Sequence, residues 1–329
     1  MNTLLETNGL TKAYRNRANG DVSILRGIDV QIQPGETLCV VGESGCGKTT
    51  FGKVLAGLIP YSGGSYSFRN KEVSSLTGSS WKNFRTSVQL IHQNPYESLN
   101  PSRMVFDILS APIRRHRKGI SFDALFEETA SLLTMVGLTP VEDFIDKYPA
   151  NLSGGQRQRV SIARVLSLKP DFIVVDEATS MIDTSLKISL LETLRKIQNE
   201  YNVAYLYITH DLALGRYFAH GQRLAVMYLG QIIEIGPTEE VVSNPHHPYT
   251  RALISAGDLE ARTEYDLSGV EIPSFHEIPK GCSLSPRCPE AMAGICQALE
   301  PQLLTTSPGR RVACHLHNDP KELREENHE

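Results

Sequence analysis

Hydrophobic and polar positions alternate near the start of the chain and then change to the pattern of a strand, a loop and a helix. Between residues 28 and 32, apolar side chains alternate with Asp29 and Gln31, which is the period of a half-buried strand. A nearly continuous apolar run at 37–41 leads into a glycine-rich stretch, after which residues 49–58 show helical spacing. This part of the chain is therefore predicted to form a strand, a loop and a helix.

The middle of the chain has the pattern of a helix. Apolar residues recur at helical spacing between residues 121 and 136, and Gly137 suits the C-terminal cap of such a helix. The apolar positions are Phe122, Leu125, Phe126, Leu132, Leu133 and Val136. We therefore expect this region to be helical.

The second half of the chain alternates strands with helices. Residues 172–175 are continuously apolar, as in a parallel strand covered on both faces. Further strands are predicted at 203–208 and 223–229, separated by a helical segment after Asp211. The helix predicted between the strands at 172–175 and 203–208 has an apolar stripe of Leu190, Leu194 and Ile197. Such alternation predicts an α/β fold with a parallel sheet.

The length of 329 residues suits one large domain and a smaller one. Beyond about Val241 the periodic pattern gives way to irregular sequence that carries proline, histidine and cysteine. We therefore predict two domains, covering residues 1–240 and 241–329.

Composition and charge argue against a disordered or fibrous protein and against a nucleic-acid-binding protein. Hydrophobic residues make up 40% of the chain and charged residues 21%, which is typical of a globular protein. The formal net charge of -4 argues against a nucleic-acid partner, so the basic run at 114–118 is interpreted as a solvated helix end. The first residues do not resemble a secretory signal, and no stretch of about 18 apolar residues occurs. We therefore expect a cytosolic protein whose membrane attachment comes through partners.

A glycine-rich motif lies between the predicted strand at 37–41 and the following helix. It fits G-x-x-x-x-G-K-T through Gly42, Glu43, Ser44, Gly45, Cys46, Gly47, Lys48 and Thr49, with Thr50 next to it. Backbone N–H groups of such a loop wrap phosphates, Lys48 neutralises the β and γ phosphates, and the Thr49 hydroxyl can ligate Mg²⁺. The alternative is a structural turn, but the strand and helix on either side favour a phosphate loop.

Two acidic residues follow the apolar strand at 172–175. Asp176 would emerge at the C-terminal edge of the sheet and hold Mg²⁺ directly or through water. Glu177 could accept a proton from the water that attacks the γ-phosphate. Taken alone the pair could merely end a strand, and it is the phosphate loop that favours a catalytic interpretation.

A second glycine-containing turn precedes another predicted helix. It consists of Leu152, Ser153, Gly154, Gly155 and Gln156. Backbone N–H groups at the start of a helix, together with the helix dipole, favour an anion.

These motifs together resemble the ATP-binding subunits of ABC transporters, whose marker is LSGGQ between the phosphate loop and the acidic strand. The resemblance covers about residues 4–240. It implies a P-loop ABC ATPase fold with a RecA-like parallel sheet core, an antiparallel β subdomain, a helical subdomain at about 97–160 and a small cysteine-containing C-terminal domain. ATP and Mg²⁺ are the ligands that it implies.

Individual residues match the family pattern. Tyr14 stands where an aromatic residue stacks on adenine, and Gln93 where a glutamine touches Mg²⁺ and transmits motion to the membrane subunit. His210 matches the histidine that contacts the γ-phosphate, and Asp183 the loop that couples the two halves of a dimer. The catalytic residues that the resemblance implies are Lys48, Gln93, Glu177 and His210.

The resemblance also implies an assembly. In this family the LSGGQ motif of one subunit covers the ATP of its neighbour, and family likeness favours a heterodimer with a second ABC ATPase. The motif at 244–250 and most of the tail resemble importers of oligopeptides, dipeptides and nickel. Two permease subunits, an extracytoplasmic solute-binding protein and a place on the cytoplasmic face of the membrane are thereby implied. The alternative is a non-transport ABC ATPase acting on nucleic acid or the ribosome, or a catalytically silent partner.

Four of the six cysteines cluster near the end of the chain. They are Cys282, Cys288, Cys296 and Cys314, separated by five, seven and seventeen residues. Four thiolates can hold an iron-sulfur cluster or a zinc ion, and the lack of C-x₂-C pairs favours [4Fe-4S] over Zn²⁺. Four reduced thiols that pack a small subdomain are the remaining interpretation.

Overall fold

The structure, a computed structural model, describes residues 3–15, 20–92, 99–177, 184–257, 267 and 271–317. Gln93 and Asp183, which the sequence predicts as site residues, lie outside these residues. Within them the strands form two sheets. One is antiparallel with the order β2-β1-β4-β5, and its strands are β1 Leu5–Tyr14, β2 Val22–Ile32, β4 Gly63–Phe68 and β5 Lys71–Glu72.

The larger sheet has the order β11-β12-β10-β9-β3-β8-β7-β6. Its strands are β3 Thr37–Val41, β6 Val88–Ile91, β7 Phe172–Asp176, β8 Ala204–Thr209, β9 Arg223–Tyr228, β10 Gln231–Pro237, β11 Leu304–Ser307 and β12 Arg310–Val312. The strands from β9 to β6 are parallel, while β10, β12 and β11 add antiparallel pairs at one edge. The parallel sheet predicted from the sequence is thereby confirmed.

Helices cover the larger sheet and extend beyond it. They are α1 Lys48–Leu55, α2 Gly78–Ser87, α3 Val105–His116, α4 Phe122–Met135, α5 Gly154–Leu166, α6 Thr184–Tyr201, α7 Leu212–Phe218, α8 Thr238–Ser243 and α9 Pro248–Gly257. Helix α4 lies where the sequence predicts one. Two of its apolar positions, Phe122 and Phe126, are nevertheless exposed and contact each other and Phe106 on the surface.

Two apolar clusters lie on the two faces of the parallel sheet. Alternate residues of β3 illustrate this arrangement: Cys39 and Val41 belong to a cluster with α3 to α7, while Leu38 and Val40 belong to one with α1 and the antiparallel sheet. Successive side chains of a strand point to opposite faces, so continuous apolar strands need a cover on both sides. The apolar runs read from the sequence are the result of this double burial.

The last described part of the chain packs on the larger sheet. Strand β12 pairs with β10, with Glu234 opposite Val312. Arg26 of β2 forms an ion pair with Glu300 at 2.6 Å. A division of the chain near residue 240 stays a prediction, as does a helical subdomain at about 97–160. In the described ranges, no helix combines the length and the apolar character needed to cross a bilayer.

Candidate functional site

The phosphate loop leaves the end of β3 and enters α1, as its sequence predicts. The chain has no room for a side chain at Gly42, because a Cβ atom there would lie 2.2 Å from the carbonyl oxygen of Met227. Lys48, the first residue of α1, is 4% exposed. Its Nζ donates to the carbonyl oxygens of Gly42 at 2.8 Å and Glu43 at 2.9 Å. The lysine is thus held over the loop, within reach of a phosphate that the loop would wrap.

Thr49 and Asp176 meet although 127 positions separate them in the sequence. The Thr49 hydroxyl donates to Asp176 Oδ1 at 3.1 Å. Burial raises the pKa of Asp176 and Glu177 adds to the rise, while the Thr49 hydrogen bond opposes it. A buried carboxylate beside a hydroxyl oxygen suits a hard divalent cation, whose charge would favour the ionised form. These two residues therefore fit Mg²⁺.

Glu177 and His210 lie next to this pair. Parallel strands β7 and β8 are neighbours, so the residues that follow them meet at the same edge of the sheet. His210 Nδ1 lies 3.2 Å from Glu177 Oε1, and the Glu177 side chain is 17% exposed. The Glu177 N–H donates to the Ile208 carbonyl at 3.0 Å, and its φ of 45° is uncommon for a residue with a side chain. This backbone conformation directs the Cα–Cβ bond of Glu177, and the contact with His210 places its carboxylate.

The LSGGQ motif forms the start of α5. Ser153 is the N-cap, and its hydroxyl accepts from the Gln156 N–H at 3.3 Å while the Gln156 side chain accepts from the Ser153 N–H at 2.9 Å. Ser153 is exposed, and a Cβ atom at Gly154 would meet nothing within 4 Å. Open space in front of this helix end leaves room for another molecule.

Tyr14 ends β1 and is 44% exposed. The Lys12 Nζ lies 5.0 Å from the centre of its ring. An exposed ring beside a cation is available to stack on a base.

Two residues that the sequence did not assign to the site hold the phosphate loop. The Glu43 N–H donates to the Tyr249 hydroxyl at 2.9 Å. The Glu43 carboxylate accepts from Arg287, with Nη1–Oε2 at 3.1 Å and Nη2–Oε1 at 3.2 Å. Their only sequence signal is that Tyr249 lies in the motif at 244–250 and that Arg287 lies between the tail cysteines Cys282 and Cys288. Their contact with the loop depends on tertiary packing.

The four C-terminal cysteines lie within electrostatic range of one another. Burial, with a further contribution from the neighbouring thiols, raises the pKa of Cys282 to about 11 and that of Cys314 to about 12. The pKa of Cys288 is raised for the same reasons. Among the described residues, which include all four thiols, no three His, Cys, Asp or Glu side chains form a group that could hold a metal ion. The arrangement therefore contains no ready single-ion site.

Comparison with known protein families gives two matches. A model described as ABC transporter matches residues 25–180. A model described as oligopeptide/dipeptide transporter, C-terminal region, matches residues 233–296. The two models thus match both the part with the phosphate loop and the part that contacts it.

Several relatives resemble the chain over nearly its full length. It is 40% identical to the putative oligopeptide transport ATP-binding protein YkfD of Bacillus subtilis (strain 168), over 96% of this chain and 96% of that protein. The oligopeptide transport ATP-binding protein AppF of the same organism is 36% identical, with 96% and 98% covered. The dipeptide transport ATP-binding protein DppF of Haemophilus influenzae is 38% identical, with 94% and 96% covered.

Solved structures share the fold. The structure of cbiO1 from Clostridium perfringens, part of the ABC transporter complex cbiONQ, matches with a TM-score of 0.65 and 26% identity, over 77% of this chain and 96% of that chain. The ATP-binding cassette MJ0796, in a dimeric post-hydrolysis state bound to ADP and Pi, matches with a TM-score of 0.64 and 24% identity, over 71% and 98%. The predicted cassette fold is confirmed by these likenesses.

Proposed function

The chain belongs to the ATP-binding subunits of ABC transporters, and from this premise we propose that its ATP hydrolysis drives import of dipeptides, oligopeptides or a related solute such as a nickel chelate. Relatives named for oligopeptide and dipeptide transport, and the match of the C-terminal family model, support this substrate class. A role on nucleic acid or the ribosome is not favoured, since these relatives match nearly the whole chain.

One observation carries the catalytic assignment: five polar side chains lie together at the C-terminal edge of the parallel sheet. They are Lys48, Thr49, Asp176, Glu177 and His210. Lys48 would exchange its two carbonyl acceptors for the oxygens of the β and γ phosphates, where its charge is better balanced. Thr49 and Asp176 would hold Mg²⁺, which neutralises developing phosphate charge when bound. The remaining pair, Glu177 and His210, is left to act on water and on the γ-phosphate.

Glu177 is the residue in the best position to take the proton. Its carboxylate can accept a proton from a water molecule as that water attacks the γ-phosphate. His210, 3.2 Å away, can orient the carboxylate and contact the γ-phosphate. The site lies at an exposed edge of the sheet, so bulk water can reach the reacting atoms. A second surface is therefore needed to exclude that water and to complete the site.

That second surface is proposed to be the LSGGQ helix of a neighbouring ATPase subunit. The exposed start of α5, with open space in front of Gly154, supports this arrangement. The phosphate loop of one subunit and the positive helix end of the other would hold the triphosphate between them. Loss of phosphate after hydrolysis would weaken this closed state. A related second ATPase is the favoured neighbour, and Gln93 and Asp183 keep their proposed coupling roles.

Separate permease subunits would complete the transporter, with this chain at the cytoplasmic face of the membrane. A cavity of about 910 Å³ opens between α2 and α3, which would accept a permease segment. Its lining includes Lys82, Arg85, Arg103, Arg115 and Arg164. The excess of cations favours an acidic segment in that partner.

Reconstitution tests the proposed function. The chain, its co-purifying ATPase and permease subunits and the solute-binding protein would be placed in vesicles, and orthophosphate release would be measured with and without peptide. We expect release to rise when peptide-loaded binding protein is present and peptide to accumulate inside. Release that peptide never stimulates in a transport-competent assembly would contradict the peptide assignment, and no release at all would contradict the ATPase assignment.

We also propose that the four C-terminal thiols hold a [4Fe-4S] cluster, with Zn²⁺ as the alternative ligand. Support comes from the sequence, which places four soft sulfur ligands in one segment. In the described residues they do not form a group that could hold a metal ion, so ligation would require the segment to rearrange. Their raised pKa values mean that ligation would release protons. Iron, sulfide, zinc and visible absorption would be measured on anaerobically purified protein. A colourless, metal-free preparation would refute both alternatives.

A further inference from the structure

Arg287 is held in place by contacts other than its ion pair with the phosphate loop. Its side chain is 4% exposed, and besides Glu43 it donates to the Tyr228 hydroxyl at 3.4 Å and to the Leu267 carbonyl at 3.2 Å. The turn that carries it is closed by the Arg287 N–H, which donates to the Leu284 carbonyl at 2.8 Å. A buried, several-times-bonded guanidinium has little freedom to lose, so it can fix the position of its partner.

The segment that carries Arg287 is itself fixed by the cysteine region. The Cys282 N–H donates to the Cys296 carbonyl at 2.8 Å, and the Ser285 N–H donates to the Cys282 carbonyl at 2.9 Å. Leu284, between them, is buried in the core cluster of the larger sheet. The position of Arg287 therefore follows from how the cysteine segment packs.

Tyr249 is fixed from a second direction. The buried carboxylate of Glu234 accepts the N–H groups of His246 and His247, each at 3.0 Å, and pairs with Arg310. His247 Nδ1 accepts the Tyr249 N–H at 3.1 Å. The Tyr249 ring lies 4.7 Å from that of Tyr228, and both are buried. The hydroxyl that accepts from the phosphate loop thus belongs to a rigid part of the fold.

We propose that Tyr249 and Arg287 are positioning residues for the phosphate loop, through which the C-terminal segment sets the affinity of this chain for ATP. Both hold Glu43, whose carbonyl accepts a hydrogen bond from Lys48. Fixing residue 43 therefore fixes the loop backbone beside the lysine, and this backbone stays in place when Lys48 turns from the carbonyl oxygens to the phosphates. Arg287 also neutralises a carboxylate that would otherwise repel the triphosphate.

The proposal rests on ATP binding and hydrolysis as the function of the site. If the loop leaves its binding-competent conformation part of the time, the apparent affinity falls by the fraction of time that it is competent, whereas kcat at saturating ATP does not change. A loss of stability alone would lower the amount of folded protein and leave the KM of the folded molecules unaltered. A rise in KM with little change in kcat therefore indicates a positioning role, whereas a loss of folded protein with unaltered KM indicates a purely structural role.

The test compares variants of the full chain in the reconstituted transporter, with ATP titration of the isolated chain beside it. Arg287→Gln should raise both KM and Kd for ATP about tenfold, with kcat within about twofold, because a charged hydrogen-bonded pair is lost. Arg216→Gln is the control. It also breaks an Arg–Glu ion pair, with Arg216 Nη2 2.9 Å from Glu239 Oε2, but this pair lies between α7 and α8 and not at the phosphate loop or the cysteine segment. Arg26 is unsuitable as a control because it donates to Ser283, in the segment that carries Arg287, at 2.9 Å.

A double variant tests whether Arg287 acts through Glu43. Glu43→Gln added to Arg287→Gln removes the unpaired carboxylate, so the KM of the double variant should be no higher than that of Arg287→Gln alone. The proposal is overturned if Arg287→Gln leaves KM unchanged, if Arg216→Gln raises it equally, or if the KM of the double variant exceeds that of Arg287→Gln alone.

A smaller change keeps the test decisive if Arg287→Gln does not fold. Tyr249→Phe deletes only the hydroxyl that accepts from the Glu43 N–H, and it should raise Kd for ATP about threefold to tenfold. An unaltered Kd in folded Tyr249→Phe would overturn the proposal. The ATP titration remains informative even if wild-type transporter releases no orthophosphate, so failure of the ATPase assignment can be told from failure of this inference.

Discussion

Replacing Glu177 by glutamine should stop turnover and leave ATP binding intact. The side chain is 17% exposed, and its carboxylate lies 3.2 Å from His210 Nδ1. Glutamine has nearly the same shape, so it opens no cavity and can keep a hydrogen bond to the histidine. Its amide cannot accept a proton from water. The substitution therefore removes the base and little else.

The size of the effect follows from that role. General-base catalysis contributes about 10²- to 10⁴-fold to a rate. We expect kcat to fall by such a factor, which corresponds to about 2.7 to 5.4 kcal/mol in activation free energy. Kd for ATP should stay the same or decrease, because a negative charge beside the γ-phosphate is removed. ATP-bound dimers should accumulate as hydrolysis no longer opens them.

The assay measures three quantities on the same preparations: orthophosphate release, ATP affinity by titration, and dimer content with ATP by size-exclusion chromatography. Glu192→Gln serves as the control, because this exposed glutamate of α6 is not one of the site residues and accepts a long hydrogen bond from Tyr217, at 3.4 Å. Turnover of Glu177→Gln within about threefold of wild type, well short of the factor expected for a general base, would refute the assignment of Glu177 as the base.

Other outcomes follow from the same geometry. Lys48→Ala should raise Kd for ATP about 10- to 150-fold in a titration, equivalent to about 1.5 to 3 kcal/mol for hydrogen bonds to a charged group; an unaltered Kd would contradict its role. Gly42→Ala should abolish ATP binding because its Cβ would meet the Met227 carbonyl, whereas Gly154→Ala should leave stability and binding of the isolated chain unchanged and lower turnover only in the assembled transporter. Glu234→Gln should lower unfolding stability by about 3 to 5 kcal/mol near neutral pH, since it breaks a buried pair with Arg310. Burial acts to raise the pKa of Glu234, but hydrogen bonds from Arg310 and from the His246 and His247 N–H groups outweigh it, so the pKa is lowered. Its contribution is therefore complete above the unfolded value of about 4.3 and is lost as pH falls through the lower folded pKa, so denaturant midpoints of wild type and variant should converge in acid.

The sequence by itself determined the phosphate loop, the acidic end of β7 and the LSGGQ helix start. Each is a short segment whose function depends on local backbone geometry, so the residue order carries the information. The parallel core was predictable for a related reason. Strands buried on both faces must be continuously apolar, and this leaves a pattern at 37–41 and 172–175.

Only the tertiary structure decided which of these segments meet. The contact of Thr49 with Asp176 depends on the order of strands in the sheet, which no local pattern encodes. Strands β11 and β12 are four and three residues long, too short for a periodic signal, yet they extend the larger sheet. Arg287 and Tyr249 reach Glu43 across 244 and 206 positions of sequence, because packing of the tail on β10 brings them there. Long-range contacts of this kind depend on the whole fold, whereas a motif depends only on its neighbours in the chain.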